Sequence, residues 1–280
     1  MGRLSYVLGS VWREDSNRDQ RIRRVFMFVG WQLWKRTLGT PLSARLFNGL
    51  RVQVRADSEA SAAAFYYVLP NSRHLTLLRK YLRGGTFVDV GANIGLVTLL
   101  VADKIGHAIL FEPSPLAAKL AQQNLEMNKL PYEIVPVALS DEVGTVEFEN
   151  AGASSVSRTV EGFKTSLPTI SVPRTSFDEF LRERSTPLLP IDAVKIDVEG
   201  HENPVLRGMK GFLRQQRPVV MFEYLKRTDI RQTITTFNDV GYSVFELTPS
   251  GVRRIASPSD VKPLQDLFAC PNENADNFGI

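Results

Sequence analysis

From residue 86 onward, short apolar runs alternate with amphipathic segments, a pattern that predicts strands alternating with helices. The apolar runs are bounded by Gly, Pro or polar residues and lie at 86–91, 107–112, 132–138, 191–197 and 218–223. Segments with helical spacing follow most of them, at 95–104, 114–129, 202–215 and 227–239. Strand-like segments near 242–247 and 252–256 end the pattern. Such alternation is typical of a parallel sheet with helices on both faces, where ligands bind at the carboxyl ends of the strands.

Two regions depart from this alternation. Residues 44–54 alternate around Asn48-Gly49, which predicts a β-hairpin, and a helix over 72–81 then precedes the glycines at 84 and 85. The segment 143–173 holds two strand-like pieces around a small, polar stretch. It either shapes a substrate pocket or forms a plain surface hairpin. We therefore divide the chain into an N-terminal helix and hairpin extension, residues 1–72, and an α/β domain, residues 73–280.

Length and composition are those of a chain with a large buried core. The chain has 280 residues, of which 43% are hydrophobic, enough for one domain with an appendage. A single cysteine, Cys270, excludes a disulfide within the chain, and no Cys/His group has the spacing of a zinc site. This cysteine usage predicts a reducing compartment, and we expect a cytoplasmic protein.

The positive charge of the chain is concentrated at its N-terminus. Of the net charge of +4, residues 1–50 carry nine Lys/Arg against three Asp/Glu, leaving 25 basic and 27 acidic residues over 51–280. A nucleic-acid acceptor is therefore not favoured. Within residues 21–36, arginines and lysine flank an apolar run that is far shorter than the roughly twenty residues needed to cross a bilayer. This segment either packs its aromatic face on the main domain or lies peripherally in a membrane interface.

The turn Gly91-Ala92-Asn93-Ile94-Gly95 follows the first central strand, and Glu112 ends the second. Glycines let the backbone turn tightly and approach a ligand, and an acidic residue at this distance can accept hydrogen bonds from both hydroxyls of an adenosine ribose. Dinucleotide sites need a glycine where Asn93 stands. The turn therefore favours the amino-acid tail of S-adenosylmethionine over a pyrophosphate, and a nicotinamide dehydrogenase is disfavoured.

A second group of polar residues follows the strand 191–197. Residues 195–202, Lys-Ile-Asp-Val-Glu-Gly-His-Glu, contain five ionisable side chains, and Glu223 ends the next strand. Unpaired charges at a buried strand end are costly, so these groups either satisfy one another or face a cleft. We favour the cleft, with Asp197 beside the glycine turn.

In these motifs the chain resembles the FkbM family of S-adenosylmethionine-dependent methyltransferases. The matching segments are 87–95, 111–113, 138–141 with Gly144, 195–202 and 206–208, within a region from Arg73 to Glu246. The resemblance implies a class I methyltransferase fold, a Rossmann-like, mostly parallel seven-stranded sheet with helices on both faces and a reversed strand near the C-terminus. It also implies O-methylation of a hydroxyl on a sugar, a glycolipid or polysaccharide unit, or a secondary metabolite.

The resemblance further implies a role for each matching position. Those assigned to the methionine part are Asp89, Gly91, Ala92, Asn93 and Gly95; Glu112 with Pro113 would hold the ribose, and Ser140 or Asp141 the adenine edge. Those assigned to the transferring methyl group and the acceptor are Asp197, Glu199 and His201, with Glu223 flanking the same opening. Catalysis would consist of alignment for in-line displacement and removal of the acceptor proton.

Several alternatives stay open. His201 is either the base or a residue packed at a helix start. Glu199 is a site residue, the partner of Lys195 or a carboxylate at a helix N-terminus. Asp197 with Glu223 could bind Mg²⁺, although we favour a site without metal. An amino-group methyltransferase is the nearest rival, but its usual Asn/Asp-Pro-Pro-aromatic motif is replaced by residues 197–200. The alternative from another class is a non-catalytic nucleotide-binding module at a membrane surface.

Overall fold

The computed structural model describes residues 29–30, 33–34, 36–37, 42–55, 73–149, 159–160 and 165–279. Its strands are β1 (Leu42–Arg45), β2 (Arg51–Val54), β3 (Thr86–Val90), β4 (His107–Phe111), β5 (Tyr132–Val135), β6 (Ala138–Leu139), β7 (Gly144–Glu149), β8 (Thr169–Thr175), β9 (Ile191–Ile196), β10 (Val219–Tyr224), β11 (Tyr242–Thr248), β12 (Gly251–Arg254) and β13 (Gln265–Pro271). Its helices are α1 (Arg73–Lys80), α2 (Leu96–Val101), α3 (Pro115–Met127), α4 (Phe177–Glu183), α5 (Glu202–Arg207), α6 (Lys210–Gln216) and α7 (Ile230–Asp239). Residues 29–30, 33–34 and 36–37 are also helical.

The central sheet has eight strands in the order β12-β11-β13-β10-β9-β3-β4-β5. The neighbouring strands β5, β4, β3, β9 and β10 are all parallel to one another, whereas β13 runs antiparallel to both β10 and β11. A mostly parallel sheet with a reversed strand near the C-terminus is therefore confirmed. The carboxyl ends of β3, β4, β9 and β10 meet at one edge, which brings together the two groups of polar residues seen in the sequence.

The C-terminal strands differ from those that the sequence predicts. The pattern near 252–256 is the edge strand β12, which pairs with β11 as a hairpin. The reversed strand is β13, a segment for which the local pattern gave no strand, and it makes the sheet eight strands wide rather than seven. Its residues are buried between β10 and β11, so its structure depends on partners far away in the sequence.

The helix predicted over 202–215 is divided into α5 and α6. A Cβ atom at Gly208 would collide with the carbonyl oxygen of Ser140, so the chain at this point lies directly against the loop after β6. The carboxylate of Asp178 then accepts hydrogen bonds from the backbone N–H groups of Gly211 and Phe212, at 2.8 and 2.7 Å. It thereby satisfies donors in the first turn of α6.

Each face of the sheet has its own hydrophobic core. One core contains α1, α2, α3 and the β1–β2 hairpin, and the other contains α4 to α7. The hairpin is fixed to α3, because the N–H groups of Arg51 and Gln53 donate to the side chains of Asn128 and Asn124, both at 2.8 Å. Most of residues 21–36 lies outside the described residues. In the part of the chain that the structure describes, no helix is long and apolar enough to cross a membrane.

The segment 143–173 contributes to a small separate sheet in the order β6-β8-β7. β7 and β8 form a hairpin whose inner residues Val146, Phe148 and Val172 pack together with Ala138. Residues 150–158 and 161–164, including most of the small, polar stretch, lie outside the described residues. Phe148 and Thr159 nevertheless bring this segment to the edge where β3 and β4 end, as described below.

Candidate active site

The glycine turn after β3 lies close to the segment that follows β9. Gly91 has a φ of 71°, and a Cβ atom there would collide with the backbone oxygen of Asp197. Asn93 also has a positive φ, of 51°, which Asn tolerates better than most residues do. The N–H groups of Gly91 and Ala92 donate to the carbonyl of Phe111, at 2.9 and 3.2 Å, and tie the turn to the end of β4.

Glu112 connects the loops that follow β3 and β4. Its two carboxylate oxygens accept hydrogen bonds from the N–H groups of Asn93 and Ser114, both at 2.8 Å. A carboxylate has about four lone-pair sites, so roughly one site on each oxygen is left for a donor from a ligand. Burial raises the pKa of Glu112 to about 7, although the two backbone N–H groups and Lys195 act against this rise.

Lys195 is a buried cation between two carboxylates. Its Nζ atom lies 3.3 Å from Oδ1 of Asp89 and 3.4 Å from Oδ2 of Asp197, and it donates to the carbonyl of Gly91 at 2.9 Å. Asp89 also accepts a hydrogen bond from Thr98 at 2.8 Å. Burial alone would lower the pKa of Lys195, but Asp197 and Asp89 raise it well above its usual value. The lysine therefore stays charged and holds Asp197 next to the glycine turn.

Further carboxylates surround Asp197 on its other side. Oxygen atoms of Asp197, Glu199 and Glu223 all lie within 4.8 Å of one another, and Arg227 pairs with Glu199 at 2.8 Å. Asp266, directly opposite Glu223 in the β10–β13 ladder, adds another acid. Burial, with repulsion from Asp197 and Glu199, raises the pKa of Glu223 far above its usual value. Burial and Asp197 raise the pKa of Asp266 to about 6.

His201 directly precedes α5 and is linked to the loop after β6. Its Nε2 atom lies 3.1 Å from Oγ of Ser140, which in turn donates to Oδ1 of Asp141 at 3.1 Å. Asp141 accepts a second hydrogen bond from Nε of Arg207, at 2.7 Å. This chain of contacts fixes the imidazole ring of His201 from one side.

A cavity of about 300 Å³ connects these groups. Its lining includes eight of the predicted site residues: Gly91, Ala92, Asn93, Glu112, Pro113, Asp197, Glu199 and His201. The other predicted site residues, Asp89, Gly95, Ser140, Asp141 and Glu223, are not part of the lining. Asp89 contributes to the site by pairing with Lys195. Ser140 and Asp141 contribute by holding the ring of His201. The cavity thus brings a carboxylate suited to a diol, Glu112, together with further carboxylates and an imidazole.

Some residues around the cavity were given no site role from the sequence. Lys195 itself lines the cavity, and Phe148 and Thr159 contribute from the segment 143–173. Asp266 and Arg227 complete the charges near Asp197. The sequence does contain a signal for Lys195. Because side chains alternate along a strand, Lys195 and Asp197 point to the same face. For Asp266 there was none, because its strand was not predicted.

Glu199 has a different partner from the one the sequence suggested. It pairs with Arg227 rather than with Lys195. Its backbone has a φ of 56°, followed by Gly200 with 98°, so the chain turns sharply between β9 and α5. A Cβ atom at residue 200 would collide with the side chain of Arg227. The turn therefore both presents Glu199 to the cavity and leaves room for its arginine.

Comparison with protein families gives a match over most of the α/β domain. The model of the methyltransferase FkbM domain matches residues 89–244, which is more than half of the chain. Hexuronic acid methyltransferase AglP of Haloferax volcanii is 30% identical over 140 residues, covering 48% of this chain and 53% of the relative. The chain thus matches about half the length of that relative.

Solved structures give more distant similarities. A methyltransferase FkbM from Methylobacillus flagellatus is 13% identical with a TM-score of 0.43, covering 67% of this chain and 43% of the other. A SAM-dependent methyltransferase from Agrobacterium tumefaciens is 14% identical with a TM-score of 0.45, covering 84% and 71% of the two chains.

Proposed function

Because the chain belongs to the FkbM methyltransferase family, we propose that this methyltransferase uses S-adenosylmethionine to methylate a hydroxyl group of a sugar, a glycolipid or polysaccharide unit, or a secondary metabolite. One observation carries the proposal. A single cavity is lined by the glycine turn and Glu112 together with Asp197, Glu199 and His201. A donor with a ribose and an acceptor with a proton to lose are the two ligands that these two groups of residues suit.

The glycine turn and Glu112 fit the adenosyl donor. Glu112 keeps acceptor sites for two ribose hydroxyls, and Gly91, Ala92 and Asn93 bring main chain close to the space beside it. When bound, S-adenosylmethionine supplies a sulfonium methyl group that is already activated toward nucleophiles. The protein then has to exclude water, align the acceptor and take up its proton.

Asp197 is the residue that we propose to orient the acceptor hydroxyl and receive its proton. Its side chain is 43% exposed and lines the cavity, while Lys195 fixes it from behind. His201, held by Ser140, is the second candidate for this proton. The carboxylate of Asp197 supports a hydroxyl rather than a carboxylate acceptor, since it would repel an anion that approaches it.

Methyl transfer can be tested with tritiated S-adenosylmethionine and a panel of hexoses, uronic acids, their glycosides and polyhydroxylated metabolites. We expect label in a product that resists mild alkaline hydrolysis, because an ether is stable and a methyl ester is not. Label released by base would identify a carboxylate acceptor instead. Calorimetric binding of S-adenosylhomocysteine without any transfer would favour the non-catalytic module, and no binding at all would remove the proposed donor.

The raised pKa of Glu112 predicts that donor affinity depends on pH. Two hydroxyls can donate fully only to the ionised carboxylate, so binding below the free-state pKa of about 7 requires loss of a proton. We expect the dissociation constant of S-adenosylhomocysteine to rise about tenfold when the pH is lowered from about 8 to about 6. Calorimetry with Glu112→Gln is the control: this variant should bind more weakly at pH 8 and lose this dependence. An equally steep profile in the variant would assign the proton to another group.

Mg²⁺ is the alternative that the cluster of Asp197, Glu199 and Glu223 leaves to be tested. Two of these carboxylates are already paired with cations, Asp197 with Lys195 and Glu199 with Arg227. A metal ion would have to compete with these cations. We therefore expect methyl transfer to be unchanged by EDTA and not increased by added Mg²⁺. Loss of transfer in EDTA that is restored by Mg²⁺ would establish a metal-dependent site.

A further inference from the structure

Three acidic side chains follow one another across the sheet at the edge where β9 and β10 end. Glu223 is the register partner of Asp266 in the antiparallel β10–β13 pair. On the other side of β10, the register with β9 ends with Ile196 beside Phe222. The next residues, Asp197 and Glu223, are therefore neighbours whose side chains leave the same face of the sheet. Glu223 thus lies between two other acids.

Glu223 has a buried carboxyl oxygen that no other group satisfies. Its Oε2 atom is buried and has no hydrogen-bond partner among the described residues. The nearby cations have other partners, since Lys195 pairs with Asp197 and Arg227 pairs with Glu199. An ionised carboxylate without a partner is costly in such a place, whereas a protonated one is neutral and can donate a hydrogen bond. The surroundings of Glu223 therefore favour its protonated form.

The charges on the surrounding elements act in the same direction. Burial raises the pKa of Glu223 to about 9, and repulsion from Asp197 and Glu199 adds to this rise. His74 of α1 is hydrogen-bonded to the backbone of Asp266, but burial lowers the pKa of this histidine and favours its neutral ring. The charged groups around Glu223 in the described part of the chain are Asp197 and Lys195 at β9, Glu199, Glu202 and Arg227 beyond β9 and β10, and Asp266 on β13. Both cations of this group are already paired, so a proton is what neutralises Glu223.

We propose that Glu223 is a positioning residue for methyl transfer, which keeps its proton and donates it in a hydrogen bond to the carboxylate of Asp197. The inference rests on the proposed function, in which Asp197 receives the proton of the acceptor hydroxyl. With Lys195 on one side and Glu223 on the other, the carboxylate of Asp197 is held in one direction and its ionised form is favoured. Its remaining lone pairs can then face the cavity. Glu223 does not line the cavity, so its effect on the reaction passes through Asp197.

Two substitutions separate the donated hydrogen bond from the shape of the side chain. In Glu223→Gln the amide still donates to Asp197 but has no proton to lose, so the rate of tritiated methyl transfer should stay within about threefold of the wild-type rate. Glu223→Leu fills a similar volume without a donor, and the rate should fall about tenfold to a hundredfold, as expected for a hydrogen bond to a charged group. Both variants should keep their affinity for S-adenosylhomocysteine. Equal losses of rate in the two variants would overturn the proposal.

The pH dependence of transfer gives a second measurement. Above a pH of about 9, Glu223 loses its proton, no longer donates to Asp197 and repels it. We therefore expect the wild-type rate to fall above this pH and the rate of Glu223→Gln to stay level. Glu246→Gln is the matched control, because Glu246 is also a buried acid of the sheet but pairs with Arg253, and this variant should keep the wild-type fall. An alkaline fall that persists in Glu223→Gln would contradict the proposal.

Infrared spectroscopy of the full chain detects the proton without an acceptor. At a pH of about 8, below the pKa of Glu223, the carbonyl stretch of a protonated carboxyl group should be present in the wild type, lost in Glu223→Gln and kept in Glu246→Gln. No difference between the wild type and Glu223→Gln would overturn the proposal whether or not an acceptor is found. So would loss of the band on addition of Mg²⁺, since the acids would then hold a metal ion instead of a proton. The expected band in a chain that transfers no methyl group would support the hydrogen-bonded pair and contradict the proposed function.

Discussion

Replacing Lys195 by methionine is expected to lower the free energy of unfolding by about 3–5 kcal/mol, because the charge of Asp89 would lose its partner in the core. The side chains of Lys195 and Asp89 are only 6% and 0% exposed. Methionine fills a similar volume, so the loss would come from the missing charge rather than from a void. Urea denaturation followed by circular dichroism measures the change.

Lys210→Met is the matched control for this experiment. Lys210 pairs with Asp239 at 3.0 Å, but both side chains are substantially exposed, so we expect a loss of about 1 kcal/mol or less. Adding Asp89→Leu to Lys195→Met should recover part of the stability, since it removes the unpaired carboxylate. A loss below about 1 kcal/mol for Lys195→Met alone would show that Asp89 and Lys195 do not form a buried ion pair.

The second large effect is expected for Asp197→Asn. An amide keeps the size of the side chain but cannot take up a proton, so the rate of methyl transfer should fall by about 10²–10⁴. The affinity for S-adenosylhomocysteine should change little, because Glu112 and the glycine turn are untouched. Single-turnover transfer of tritiated methyl to the acceptor found in the panel above, with calorimetry on the same samples, separates the two quantities.

Two further variants show whether this effect is specific. Glu199→Gln keeps Asp197 and Lys195 in place, and we expect it to lower the rate much less. His201→Gln tests the second candidate for the acceptor proton, and Ser140→Ala removes the hydrogen bond that holds the ring. If His201→Gln abolishes transfer while Asp197→Asn does not, the proton goes to the histidine and Asp197 only orients the acceptor.

The first half of the site could be read from the sequence because its residues are neighbours along the chain. The turn 91–95 and Glu112 follow consecutive strands, and the pairing of β3 with β4 puts them side by side. The position of Asp197 beside Gly91 followed in the same way from a second motif placed at a strand end. Glycine turns and apolar runs are local signals, which is why they sufficed here.

The other half depends on contacts that the local pattern does not contain. β13 lies between β10 and β11, so Asp266 reaches Glu223 only through a strand that enters the sheet out of chain order. The break between α5 and α6 depends on the close approach of Gly208 to Ser140, more than sixty residues away. Similarly, the ion pair between Glu199 and Arg227 depends on the turn at Gly200.

Glu112 is held by backbone N–H groups from two different loops, so its carboxylate is aimed before any ligand arrives. A carboxylate that is already in position does not have to move when the donor binds, so little conformational entropy is lost on binding. The same arrangement makes the residue a structural bridge. Replacing Glu112 by alanine would remove its hydrogen bonds to both loops. The donor affinity of that variant would therefore reflect the order of the loops as well as the lost contact with the ligand, whereas the affinity of the isosteric Glu112→Gln variant reflects mainly the lost contact.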